Sequence, residues 1–164
     1  MIGGYDGDIK SDVWSSSDGI TWVEVTDKAK FPGRHYHQVA VYDNKLWVSG
    51  GYWALGPPTD LWSSTNGVTW TLVYRGFSYS GRFNHQVTEF NNQLWIIGGY
   101  DHGSVYEMGR RRNDTKFSTD GIVWRYGTSN AEFSARDKHQ VAVFDNRLWV
   151  IGGHDNDGLT NDVW

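Results

Sequence analysis

Three stretches of the chain are close copies of one another: RHYHQVAVYDNKLWVSGG from Arg34, RFNHQVTEFNNQLWIIGG from Arg82 and RDKHQVAVFDNRLWVIGG from Arg136. A unit copied at intervals of 48 and 54 residues calls for a fold in which each copy buries against the next what it cannot bury alone. A second phrase follows each gap: DVWSSSDGITW from Asp12, DLWSSTNGVTW from Asp60, and a weaker DTKFSTDGIVW from Asp114. The chain opens on MIGGYDGDIKSDVW and closes on IGGHDNDGLTNDVW, so its two ends stand in the same phase of the repeat.

Within a unit the pattern reads as four strands. HQVAVY alternates, with Val39 and Val41 on one face, as a half-buried strand does. Asp43-Asn44, Asn91-Asn92 and Asp145-Asn146 are residues that tolerate positive φ, which two-residue hairpin turns demand. The return strand ends on a glycine pair, where the backbone bends sharply or is closely approached. DVWSS is then a third strand, Asp18-Gly19 and its counterparts a second turn, and ITWVEV a fourth strand. No stretch has helical periodicity. The expectation is an all-β chain of four-stranded antiparallel blades stacked face to face, about three blades' worth in all. Ten Trp, nine Tyr and seven Phe supply the contacts. Trp47, Trp95 and Trp149 hold one fixed position and Trp22, Trp70 and Trp124 another, which suits packing better than cofactor stacking; a buried ring contributes roughly 2–3 kcal/mol before entropy is counted.

Composition excludes several classes. The net charge is −4, against the positive excess of nucleic-acid binders. Arg110-Arg111-Arg112 is an isolated basic run, read as a solvated loop edge. No Cys is present, so neither disulfides nor thiol chemistry arise. No apolar stretch nears the ~18 residues of a membrane span, and no partner membrane is implied. Asp155-Asn156-Asp157-Gly158 has oxygen ligands suited to calcium but not the spacing of a calcium loop, so it reads as a solvated turn. No metal and no cofactor is expected.

These phrases resemble the kelch repeat, whose marks are a four-residue apolar run before Gly-Gly, an aromatic after it, and a Trp in the fourth strand. LWVSGGY with Trp70, LWIIGGY with Trp124 and IGGY with Trp22 carry the likeness, which extends over essentially the whole chain. It implies a β-propeller of the type found in the central domain of galactose oxidase, with the first strand of each blade lining a central channel. The copper radical activity of that enzyme needs a Cys bonded to a Tyr and does not carry over. One departure is the third DVW, where Lys116 or Phe117 stands for Trp, so that strand is either shifted by a residue or poorly packed. SSDGITW also resembles the Asp-box turn of sialidase-type propellers, but its Asp and Gly are adjacent, one residue too close. Arg34, Arg82 and Arg136 invite comparison with a sialidase arginine triad, yet equivalent places in successive units favour one ion pair or backbone contact made in every blade.

The resemblance divides the chain into residues 1–33, a partial blade of strands three and four; 34–81, one repeat; 82–135, a repeat with an insertion near 101–113; and 136–164, a partial blade of strands one to three. Propellers have 4–8 blades, so two arrangements follow. Either the chain is a segment of a longer propeller, or it is a homo-oligomer, a dimer making six blades.

In proteins of this kind the binding face carries the loops after strand two and before strand one. That face places Arg34, Tyr36, Trp53, Arg82, Phe83, Tyr100, His102, Arg136, Lys138 and His154 as ligand-binding candidates. Residues that differ between units, Tyr36, Trp53, Phe83, His102 and Lys138, rank above the repeated ones, because packing does not force them. The His of HQV, at 37, 85 and 139, is expected to bond a backbone group or a neighbouring blade. GSVYEMGRRR, after Gly99, lengthens one loop on the same face. No catalytic constellation is visible. The leading expectation is a non-catalytic scaffold that recognises a protein or glycan partner. The alternatives are a mutarotase-like sugar epimerase, with Arg34, Arg82 and His102 or His154 as acid–base groups, and a structural repeat of a surface or fibre protein.

Overall fold

The computed structural model describes every residue except 54, 55, 57, 77–80, 105 and 106. Among the described residues there is no helix, and the strands form four antiparallel sheets. The first holds β1 (Ile2–Tyr5), β2 (Ile9–Ser15) and β3 (Val23–Thr26), and the second β4 (Gln38–Tyr42), β5 (Lys45–Ser49), β6 (Asp60–Ser64) and β7 (Thr71–Arg75). In the third, β8 (Arg82–Phe83) and β9 (Gln86–Phe90) both pair with β10 (Gln93–Ser104), which continues to β11 (Glu107–Ser118) and β12 (Arg125–Thr128). The fourth is β13 (Gln140–Phe144), β14 (Arg147–His154) and β15 (Leu159–Val163). The all-β blade architecture read from the repeat is therefore the one observed.

The turns form for the reasons their residues gave. Asp43 and Asn44 have φ of 48° and 55°, Asn91 and Asn92 52° and 56°, Asp145 and Asn146 50° and 54°, the left-handed pair that matches strand twist. The second turn is closed by side chains: Asp18 Oδ1 accepts from the amides of Ile20 and Thr21, and Ser16 Oγ from that of Gly19. Ser64 with Asn66, and Ser118 with Asp120, repeat this closure.

Two expectations change. The first sheet has three strands rather than two, because Ile2–Tyr5 is the end of a second strand and still pairs β2, with Ile2 opposite Val13 and Tyr5 opposite Ile9. The strand at Asp114 is not shifted: Lys116 lies opposite Ile96 as Trp62 lies opposite Val48. Lys116 thus occupies the tryptophan position. It is buried there, with its ammonium 4.9 Å from the centre of the Tyr126 ring, a cation–π arrangement.

Sheets pack face to face in sequence. Ala40, Tyr42, Trp47 and Leu61 of the second meet Val87, Leu94 and Ile96 of the third. Val13 of the first meets Val48, Trp62 and Trp70 of the second, and Ile97 of the third meets Val150 of the fourth. Trp burial follows neighbours: Trp70 is 2% exposed, whereas Trp22, with no sheet on its outer side, is 49% exposed. The fixed tryptophans are packing groups.

The glycine pair lets this stacking close. Gly50, at φ +57°, has the Arg82 carbonyl oxygen 2.4 Å and His85 Cε1 2.8 Å from where a Cβ would stand. The next glycine donates its amide to the following sheet: Gly4 to the Arg34 carbonyl (3.0 Å), Gly51 to that of Arg82 (2.7 Å) and Gly99 to that of Arg136 (2.8 Å). His37 Nε2 donates to the Ile2 carbonyl of the preceding sheet at 2.8 Å, and His85 Nε2 lies 2.9 Å from Ser49 Oγ. These two histidines bond the neighbouring blade, as their repetition suggested.

Candidate binding face

The three repeated arginines are structural rivets. Arg34 directs a two-pronged pair at Asp60 (2.8 and 2.9 Å) and a further bond at the Gly50 carbonyl, all within its own sheet. Arg82 does the same with Asp114 and Gly98, and Arg136 with Asp162 and Gly152. Meanwhile their main chains grip the preceding sheet: the Arg34 amide donates to the Lys10 carbonyl and the Arg136 amide to that of Arg112, each at 3.0 Å. At 0%, 3% and 0% exposure, with their donors committed to carboxylates and carbonyls, they have no surface to offer a ligand. That removes Arg34, Arg82 and Arg136 from the list of contact residues.

What remains at the loop face is a continuous row of rings. Tyr5, Tyr52, Tyr100 and His154 all follow the glycine pair, and His35, Phe83 and Asp137 all follow the arginine. The two positions are joined by backbone pairing in the second, third and fourth sheets: His35 with Tyr52, Phe83 with Tyr100, Asp137 with His154. Their side chains therefore meet. Tyr5 lies 5.7 Å from His35, His35 stacks on Tyr52 at 5.8 Å, Tyr52 meets Phe83 edge-on at 5.7 Å, and Phe83 lies 5.3 Å from Tyr100. Tyr36 flanks the row, 4.4 Å from His35 and 6.4 Å from Phe83, and His102 sits 6.1 Å from Tyr52. Such offset and edge-on pairs fix ring orientations beyond what burial alone does.

Around the inner rim, Tyr36, Asn84 and Lys138 hold one repeated position at φ 56°, 53° and 58°. The Asn84 amide donates to the Tyr36 carbonyl and the Lys138 amide to that of Asn84, at 3.1 and 3.0 Å. A hydrogen-bonded thread thus passes from blade to blade at the rim and presents three different side chains there.

Beyond Tyr100 the row becomes polar. Arg111 lies over the Tyr100 ring at 6.0 Å, donates to Asp137 Oδ1 at 2.7 Å and contacts His154 Nδ1. Asn84 Nδ2 reaches the other Asp137 oxygen at 3.3 Å. Arg112 pairs with Asp101, whose second oxygen accepts from the Gly103 amide. Burial works against the Asp101 carboxylate, but Arg112 and Gly103 outweigh it and hold its pKa below the ordinary value. The basic run is thus not a solvated loop edge. It lies on β11, which with β10 extends the third sheet past Tyr100 as a hairpin, and two of its arginines are ion-paired. Val105 and Tyr106, in the insertion, lie outside the described residues. A cavity of about 370 Å³ opens beside the run, bounded by Asn113, Tyr126 and Asn130.

Of the sequence candidates, then, Tyr36, Phe83, Tyr100 and His102 share one aromatic row, Lys138 shares its inner rim, and His154 joins its polar end. Trp53 is half-buried with its backbone paired to Gly56. Asp155 turns its carboxylate inward on its own loop, accepting from the amides of Asp157 and Gly158, and takes Ser134 Oγ as a further donor. The row also includes Tyr5, His35 and Tyr52, which the repeat marked by position, and Arg111, which it did not.

Residues 135–164 match the family model of the Kelch motif. The fourth sheet thus carries a Kelch motif. The matched segment carries the Arg136–Asp162 pair and the Gly152-Gly153 bend, and the earlier blades reproduce both with Arg34, Asp60, Gly50 and Gly51, and with Arg82, Asp114, Gly98 and Gly99. No curated protein matches the chain. Kelch repeats are scaffold repeats of protein interaction.

Proposed function

We propose that this kelch chain is a non-catalytic binding module that takes a protein or glycan partner across the aromatic row of its loop face. The observation carrying this reading is that Tyr36 is 59% and Tyr5 66% exposed although each ring is held against His35, whose backbone is paired to Tyr52. Rigid aromatic side chains lose little freedom on binding and dominate contact energies. The Arg111–Asp137–His154 group adds directional polar contacts at one end. The epimerase alternative loses two of its acid–base candidates, since Arg34 and Arg82 are buried in pairs with Asp60 and Asp114, and keeps only a loop histidine, His102 or His154.

Peptide-display and glycan-array selection against the intact chain would test this. Ligands so obtained should weaken about tenfold or more, roughly 1.4 kcal/mol, in Tyr36→Ala, Phe83→Ala and Tyr100→Ala. They should be unaffected by Trp22→Ala on the flank. Ligands whose affinity survives all three loop-face changes would overturn the reading.

A further inference from the structure

The cavity beside the basic run lies where the third sheet departs from the second. In the second sheet the outer strands pair Trp62 with Leu72, and the residues before Asp60 are Pro58 and Thr59. In the third the same places pair Lys116 with Tyr126, and the residues before Asp114 are Arg112 and Asn113. A cation and a phenol thus replace two apolar side chains just where the chain acquires three consecutive arginines. Packing requirements shared by the sheets recur in the sequence, so a group of changes confined to one sheet edge points to a local role.

The walls of this cleft are polar. β11 contributes the run from Arg110 to Asp114, β12 contributes Tyr126, and Ser129 and Asn130 follow it. Its volume of about 370 Å³ falls in the range of small-ligand sites, roughly 300–1,000 Å³. The one carboxylate in it, Asp114, is committed to Arg82 through two bonds of 2.7 Å. Arg111 and Arg112 are matched by Asp137 and Asp101, but Arg110 is exposed and no carboxylate among the described residues pairs with it. Lys116 lies behind the Tyr126 ring, 7% exposed. Burial leads in drawing its pKa below the ordinary value, and Arg82 and Arg112 each weigh more on it than their partners Asp114 and Asp101. The field at this edge is therefore positive, although the chain as a whole carries −4.

We propose that the cleft between β11 and the segment that follows β12 binds the phosphoryl group of a phosphate monoester. Such a group carries about two negative charges at neutral pH and three strong acceptor oxygens. The cleft answers with donors: the Arg110 guanidinium, the hydroxyls of Tyr126 and Ser129, and the Asn130 side chain, whose oxygen is taken by Asn113 and whose amino group remains to donate. A guanidinium grips a phosphate through two parallel bonds, a fit that an ammonium lacks. A planar carboxylate, with one charge and two oxygens, would leave more of these donors unanswered. A small-molecule ester and a phosphorylated side chain of a partner present the same group. The site is separate from the aromatic row and does not depend on the reading given to that row.

Titration of the 164-residue chain with phenyl phosphate, inorganic phosphate and benzoate, followed by calorimetry and by the NMR resonance of Lys116 Cε, tests the assignment. Both phosphates should saturate the site at millimolar concentration or below and weaken with added salt, and benzoate should bind more weakly. Both phosphates should raise the Lys116 pKa, because the bound charge offsets Arg82 and Arg112. Arg110→Gln should weaken phenyl phosphate about tenfold without moving the melting temperature, while Arg147→Gln, at the far end of β14, should change neither. A phosphotyrosine peptide that binds more tightly than phenyl phosphate, with its unphosphorylated form inert, assigns the group to a partner's side chain; equal affinities assign it to a small-molecule ester. Failure of both phosphates to saturate, an affinity unchanged in Arg110→Gln, or benzoate binding as well as phenyl phosphate would overturn the proposal.

Discussion

Arg82 and Asp114 meet through two parallel hydrogen bonds of 2.7 Å, with side chains only 3% and 7% exposed. Thirty-two residues of chain, including the long β10–β11 hairpin, are returned to one point by this contact. A pair of this kind stabilises little relative to apolar packing, but removing one member strands a charge. Asp114→Ala and Asp60→Ala should therefore each lower unfolding free energy by about 3–5 kcal/mol. Asp162→Ala should cost far less, because the Asp162 side chain is 39% exposed and water can take its place. Urea midpoints of the three variants test the order; equal losses would contradict it.

The glycine pair gives a second, sharper contrast. Gly50→Ala puts a methyl group 2.4 Å from the Arg82 carbonyl oxygen and 2.8 Å from His85, in backbone that cannot withdraw without opening the sheet contact. Gly152 holds the same φ of +57°, yet its added Cβ meets only the Thr160 carbonyl oxygen, at 3.2 Å. Gly19, at φ +75°, meets nothing within 4 Å. Gly19→Ala should lose about 1–2 kcal/mol for the left-handed backbone alone, Gly152→Ala somewhat more, and Gly50→Ala enough to disrupt the junction of the second and third sheets. Thermal melts of the three proteins check the ranking.

Much of this was legible because the sequence samples each position several times. Asn44, Asn92 and Asn146 announce one turn, and Trp47 and Trp95 one packing slot, since a requirement shared by every blade shows as recurrence. The three arginines announced a shared structural contact in the same way. Residues that occur once had no such phase. Arg111 is 26 residues from Asp137 and 43 from His154, and only the extension of β10 and β11 brings them together. Lys116 read as either a register slip or poor packing because a cation replaced an indole. The strand stayed in place because Asp114 is fixed by Arg82, and the register of a strand follows its anchors more than one side chain.

Acid should loosen the stack of sheets. Burial first, and the neighbouring arginine next, draw His37 and His139 down to about 4 and His85 to about 3. The unfolded chain, with ordinary histidines near 6.5, binds more protons than the folded one between about pH 6.5 and those values. Stability is therefore full above pH 6.5 and falls as pH drops towards 4, by several kcal/mol for the three together. His85→Gln has no ring to protonate at this position, and should flatten the slope by about a third. Urea midpoints from pH 7.5 to 4.5 test this; a parent midpoint that does not move would contradict it.

Tyr36 occupies left-handed backbone at φ 56° where the next blade has Asn84 at 53°. Asparagine tolerates that region and tyrosine does not, a difference of order 1 kcal/mol. The Tyr36 ring, 59% exposed, recovers little of this through its contacts with His35 and Phe83. Tyr36→Asn should therefore raise unfolding free energy by roughly 0.5–1 kcal/mol while weakening any ligand held on the aromatic row. Gain of stability with loss of binding is what strain kept for recognition produces. Paired urea and binding titrations on the variant would separate this from a packing role, in which both quantities fall together.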